Sequence, residues 1–283
     1  MATPPPPRPV IEGVSEPATP APAATPDLAT AMAAAWRFDI PEPELPAGVV
    51  GARLWATSYF VPRVEAVGDG VPLVDPSGIP LGPRLSIRDW CDAAMEGTVL
   101  VADPASGARA TYNFAATGER SQVSCAERYP RHHGIEKSRF RVAIGPYGDG
   151  VQGMALVPYR SIAVDPAVIP FGSVVYVPAA RGLPVRLPTG EERAHDGYFF
   201  AADRGGAIRG AHIDVFTGVE REPPLEFVTS RESDRFDAYR VTEPTMEAML
   251  RRAHGVDGDG AVSARQCSSR SEGPCGAGGM TVQ

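Results

Sequence analysis

Three aspartates carry the chemistry that this chain's residue types and spacing suggest. Asp203 and Asp214 stand either side of a glycine-rich turn in DRGGAIRGAHID, and Asp165 lies upstream in SIAVDPAVIPFGSVVYVP. Carboxylates brought together on a sheet or barrel hold one another partly protonated, because like charges a few ångströms apart resist joint ionisation. A carboxyl protonated near neutral pH is what cleavage of a glycosidic bond needs as its general acid. Asp214 interrupts the β-branched and aromatic run HIDVF, where strand propensity disfavours a carboxylate, so its presence suggests a task. Asp203 follows the apolar GYFFAA and precedes Gly205 and Gly206, small residues that let a ligand or another backbone come close. Asp165 before Pro166, and Asp196 in HDG, read first as turn residues. His212 reads as a surface histidine able to orient Asp214 or a sugar hydroxyl.

Other chemistries find no support. No Gly-Lys-Ser/Thr follows the glycines, no Gly-x-Ser-x-Gly elbow exists, and VDGDGAVS lacks the ligand pattern of a calcium loop. The adjacent His132 and His133 do not suit a single metal, and no Cys/His spacing fits zinc. No metal or cofactor is expected. A net charge of −7 argues against a nucleic-acid partner. No apolar run approaches the roughly 20 residues of a transmembrane helix, and no secretory signal is visible. Four cysteines (Cys91, Cys125, Cys267, Cys275) suit two disulfides in an oxidising compartment, with three pairings open and a local Cys267–Cys275 bridge plausible from proximity. The alternative is four free thiols, two of them buried.

The elements that must position the aspartates are short. Residues 1–50 are rich in Pro and Ala and read as a disordered spacer. Strand-like runs follow at 53–60, 98–102, 110–114, 140–144, 173–177, 197–202, 213–216 and 236–241, bounded by Gly, Pro, Asn or Asp. Many short strands with little helix between them predict a closed or nearly closed β-barrel over 51–243. SIRDWCDAAMEG is a helix with Ser86 as cap and Gly97 as stop, and TMEAMLRRAHG is a second, leading into a loose tail over 244–283.

SIAVDPAVIPFGSVVYVP, FFAADRGGAIRG and HIDVFTG together resemble the 3D domain, named for its three aspartates, and the same trio marks the membrane-bound lytic transglycosylase A family. The resemblance covers about residues 140–241, with ATYNFAATG similar to an earlier barrel strand and loop. Residues 62–108 have no counterpart and stand as an unmatched insertion; the separate substrate-clasping domain of the large transglycosylases is not evident. The resemblance implies a mainly β fold, a double-psi β-barrel with one or two peripheral helices and disordered termini. It also implies action on peptidoglycan glycan strands, with cleavage after N-acetylmuramic acid to a 1,6-anhydro product; a monomer in the cell envelope, in the periplasm or at the outer membrane, is expected. Asp214 takes the position of the catalytic acid, with Asp203 and Asp165 as the accompanying aspartates. Gly205 and Gly206 match the loop lining the groove, and His212 and Tyr112 are further candidates for substrate binding. Two other classes stay open: an inverting hydrolase using Asp203 and Asp214, and a non-catalytic wall-binding or wall-loosening module.

Overall fold

A computed structural model describes residues 27–45, 51–219 and 225–256. The chain begins with helix α1 (Leu28–Ala35) and strand β1 (Ala52–Tyr59), then β2 (Arg63–Glu65), the hairpin β3 (Val71–Val74) and β4 (Pro80–Leu85), and α2 (Ile87–Glu96). It continues through β5 (Thr98–Ala102), β6 (Arg109–Thr117), β7 (Ser138–Val142), β8 (Ser161–Ala163), β9 (Val174–Tyr176), β10 (Pro184–Arg186) and β11 (Glu192–Ala194). The last elements are β12 (Tyr198–Asp203), β13 (His212–Phe216), β14 (Phe236–Val241) and α3 (Pro244–Ala253).

The predicted barrel is present and closed, in the order β1-β13-β8-β12-β9-β14. Pairs β1/β13 and β12/β8 are parallel and the other four antiparallel. Period-two alternation decides what each strand buries. Leu54, Ala56, Ile213, Val215, Phe199 and Ala201 belong to one apolar core. Tyr198, Phe200 and Ala202, the opposite face of β12, belong to a second core with Met32 and Ala35 of α1 and Leu250 and Ala253 of α3. A strand buried on both faces reads as a continuous apolar run, which is what GYFFAA is.

The strands at 98–102, 110–114 and 140–144 do not join the barrel. They form a separate sheet, β2-β5-β6-β7, inserted between β1 and β8. Leu73, Leu85, Trp90, Val99, Val101, Tyr112 and Phe140 give it its own core beneath α2. The unmatched stretch is therefore only the first part of a larger inserted unit. Short β-rich runs between turns carry no local signal of which sheet they enter, which is why the sequence alone predicts a single barrel. Helix α2 is capped where the sequence places the caps: Asp89 N donates to Ser86 Oγ at 3.1 Å, and Gly97 ends the helix at φ +76°. A Cys91–Cys125 disulfide ties α2 to the loop after β6. Cys267 and Cys275 lie outside the described residues.

The N-terminal spacer needs correction from residue 27 onward. Asp27 Oδ1 caps α1 by accepting from Thr30 N at 2.8 Å, and Met32, Ala35, Phe38 and Ile40 are buried against the barrel. The anchor is Arg160, fully buried, whose Nε and Nη2 donate to Ala35 O at 2.9 and 2.7 Å. Its Nη1 and Nη2 also grip the Asp196 carboxylate at 2.6 and 2.8 Å. Phe38 lies over the guanidinium at 4.2 Å, and Ile40 N donates to Asp196 Oδ2 at 3.2 Å. Asp196 is thus half of a buried ion pair as well as a turn residue. Composition gave little hint of this, because the few large apolar side chains of the segment, Met32, Phe38 and Ile40, are sparse and the polar anchoring falls on main-chain groups.

Candidate active site

The register between β1 and β13 builds the site. Trp55, Thr57 and Tyr59 share the outer face of β1 and lie opposite His212, Asp214 and Phe216. Each cross-strand pair is a contact. The Trp55 and His212 rings stack at 3.6 Å and 6°, Thr57 Oγ1 donates to Asp214 Oδ1 at 2.7 Å, and the Tyr59 and Phe216 rings sit 5.1 Å apart. On the next strand but one, Asp203 is reached through β8: Ala163 is the register partner of both Asp203 and Asp214. Two inter-strand spacings separate the aspartate backbones, on the order of 10 Å. Tyr59 Oη donates to Asp203 Oδ2 at 2.8 Å and Arg204 N to Oδ1 at 2.8 Å, so β1 touches both carboxylates.

Both carboxyls are held up. Burial pushes Asp214 to about 6, against the donation from Thr57 that favours its charged form. Burial also pushes Asp203 to about 6; the hydrogen bonds from Tyr59 and Arg204 oppose this and the charge of Asp214 adds to it. Near neutral pH a group with that value is protonated in roughly a tenth of molecules or more, enough to serve as an acid. Asp165 is different. Its oxygens accept from Ala167 N at 3.0 Å and from Gly210 N at 2.7 Å, and these bonds hold its carboxyl below the usual range. It stays ionised and anchors the glycine-rich loop, which is a turn role rather than an acid's.

Within that loop Gly206 is exposed and a Cβ there would meet nothing within 4 Å, whereas one at Gly205 would come within 2.5 Å of Ile208 Cγ1. Tyr112 is buried in the core of the inserted sheet. Tyr198 is likewise buried. His212, read from sequence as a surface residue, is only 8% exposed, covered by Trp55.

The structure adds residues the sequence did not single out. Thr57 and Tyr59 belong to an ordinary alternating strand, and their only signal was two hydroxyls at i and i+2. Glu96, the last residue of α2, faces the site from the inserted unit; burial and the charges of Asp92 and Asp214 raise its carboxyl. That unit is fixed beside Asp203 by Asp149, whose main chain accepts from Asn113 Nδ2 at 2.9 Å and donates to Asn113 Oδ1 at 2.9 Å. The Asp149 carboxylate also receives Arg141 Nη1 at 2.6 Å and Gly145 N at 2.7 Å. The next residue packs so tightly that a Cβ at Gly150 would fall 2.1 Å from Ala202 O. Among the described residues no group of His, Cys, Asp and Glu is arranged to hold a metal, and no helix is long and apolar enough to cross a membrane.

Residues 160–225 match the model of the 3D domain, the segment that carries all three aspartates. No curated protein matches the chain. Among solved structures, MltA from Escherichia coli with bound chitohexaose is similar at 16% identity and a TM-score of 0.40, over 59% of this chain and 66% of that one. A membrane-bound lytic murein transglycosylase from Agrobacterium tumefaciens is similar at 19% identity and 0.41, over 69% and 75%. MltA from Neisseria gonorrhoeae gives 15% and 0.39, over 65% and 71%. The chain spans slightly less than two thirds of the length of the Escherichia coli structure.

Proposed function

We propose that this chain is a peptidoglycan lytic transglycosylase of the cell envelope, with Asp214 as its single general acid and base. The observation that carries the reading is a carboxyl raised to about 6 on the outer face of the barrel, one oxygen taken by Thr57, beside a glycine-rich loop. Asp214 gives its proton to the glycosidic oxygen after N-acetylmuramic acid, and the leaving sugar departs with that bond's electron pair. The C6 hydroxyl of the same muramic acid attacks the oxocarbenium-like carbon, and its proton returns to Asp214. The product is a 1,6-anhydro sugar, no water is consumed, and the carboxyl is restored. The charge of Asp214 favours the protonated form of Asp203, and by reciprocity a charge on Asp203 favours the protonated form of Asp214. The 3D-domain match and the disulfide in the inserted unit both fit a wall enzyme in an oxidising compartment. The glycan strand is its partner, and we take the working unit to be the monomer.

Asp203 is itself raised to about 6, which favours a second reading: an inverting hydrolase in which the two aspartates act as acid and base across a water. Incubation with purified peptidoglycan and mass analysis of the soluble products separates the two. A transglycosylase releases muropeptides one water lighter than a hydrolase does and creates no reducing end. Reducing ends would overturn the first reading, and no product at all would leave a wall-binding module.

A further inference from the structure

The hydroxyl of Thr57 has one proton and two neighbours. It donates to Asp214 Oδ1 at 2.7 Å, and His212 Nε2 lies 2.9 Å from the same oxygen, so a hydrogen on Nε2 completes a chain from His212 through Thr57 to Asp214. This chain of contacts assigns hydrogen to Nε2. The imidazole is not free to turn away, because Trp55 lies flat against it at 3.6 Å and the ring is almost wholly buried. We infer that His212 is a positioning residue for Asp214, acting through Thr57 from beneath the Trp55 ring. The inference rests on Asp214 being the acid.

Its consequence is directional. With Oδ1 engaged by Thr57, the transferable proton is carried by Oδ2. Without the imidazole donor, a threonine hydroxyl turns readily toward nearby main-chain acceptors, and the Oδ1 contact loosens. Neutral His212 suits this task. Burial lowers its basicity, against the Ala207 main chain and the charge of Glu232, which favour the cation. The other groups facing Asp214 are Asp203 at the end of β12, the Tyr59 hydroxyl bound to it, and Glu96 at the end of α2. None of them touches the Thr57 hydroxyl, so a change made at His212 reads the chain through Thr57.

The test follows the Asp214 carboxyl directly, by 13C NMR titration of the full-length protein labelled at aspartate carboxyls, with Asp214→Asn for assignment. His212→Phe keeps a flat ring on Trp55 and removes the donor; His212→Gln keeps a donor. The Asp214 titration should move upward in His212→Phe, and product release should fall about tenfold in kcat with little change in KM, a loss of the size one positioning hydrogen bond gives. His212→Gln should restore part of both. Thr57→Val should raise the titration at least as far as His212→Phe, and serves if the latter does not fold. A His212→Phe protein with wild-type titration and turnover overturns the inference, as does a His212→Gln protein that behaves like His212→Phe. If the wild-type protein releases no product, the functional reading fails on its own. The titrations still decide whether His212 positions the carboxyl.

Discussion

Replacing Asp214 by Asn should stabilise the fold above pH 6 while removing its chemistry. The native carboxyl sits at about 6, against 3.8 for an ordinary one. Between those values the folded protein binds more protons than the unfolded chain, so stability falls as pH rises through the window and the loss is complete above it. At about 1.4 kcal/mol per unit the full conversion is near 3 kcal/mol. Partial solvent access reduces this to about 1–2 kcal/mol. Asn keeps an oxygen that can accept from Thr57 and has no charge to desolvate, so the variant should recover that amount. For a domain of this size the gain corresponds to about 3–6 °C in melting temperature. Scanning calorimetry of both proteins at pH 5 and pH 8 reads it as a difference, in which the buried histidines cancel. The gap should be clearly larger at pH 8. A variant that melts at or below the wild type at pH 8, or a gap equal at the two pH values, refutes the reasoning that burial of Asp214 is what raises it.

Removing one partner of the buried Arg160–Asp196 pair, as in Asp196→Ala, should cost about 3–5 kcal/mol in urea unfolding, because the other charge is left without compensation. Starting the chain at residue 42 should also lower the melting temperature by several degrees, since Arg160 loses Ala35 and the barrel loses Phe38. Cys91→Ser should destabilise the protein by about 3–4 kcal/mol under oxidising conditions, the scale set by a loop of 34 residues, and reduction should erase the difference. His195 and His254 are fully buried and burial holds both down to about 3. The unfolded chain therefore binds protons at these histidines first as pH falls below 6.5, so the wild type should lose stability relative to His254→Gln toward pH 3; parallel urea series of the two proteins across that range, in which the raised aspartates cancel, check it.

What could be read from sequence depended on how local the signal was. Asp214 betrayed itself by being a carboxylate in a strand of β-branched and aromatic residues, and Asp203 by the glycines that follow it. Thr57 lies 157 positions from Asp214, and only the parallel register of β1 on β13 brings them together. His212 was visible as a residue, but its burial was not, because Trp55 covers it from another strand. The barrel strands announced themselves as short β-rich runs between turn residues, yet β5, β6 and β7 read the same way and belong to another sheet. Arg160 offered only a charge in the apolar run VPYRSIAV, with its partners Ala35 and Asp196 far off in the chain. Four cysteines allowed three pairings, and only the fold selects Cys91 with Cys125.

Digestion of purified peptidoglycan by the wild type, Asp214→Asn and Asp203→Asn across pH 5 to 8 tests the central claim most directly. Asp214→Asn should release no anhydro-muropeptide at any pH, because Asn cannot give and recover the proton, and such assistance is worth about 10²–10⁴ in rate. Asp203→Asn should lose part of its activity at neutral pH and regain some as pH falls, since removing a neighbouring negative charge leaves Asp214 less protonated. Wild-type rates of product release from Asp214→Asn would contradict the account.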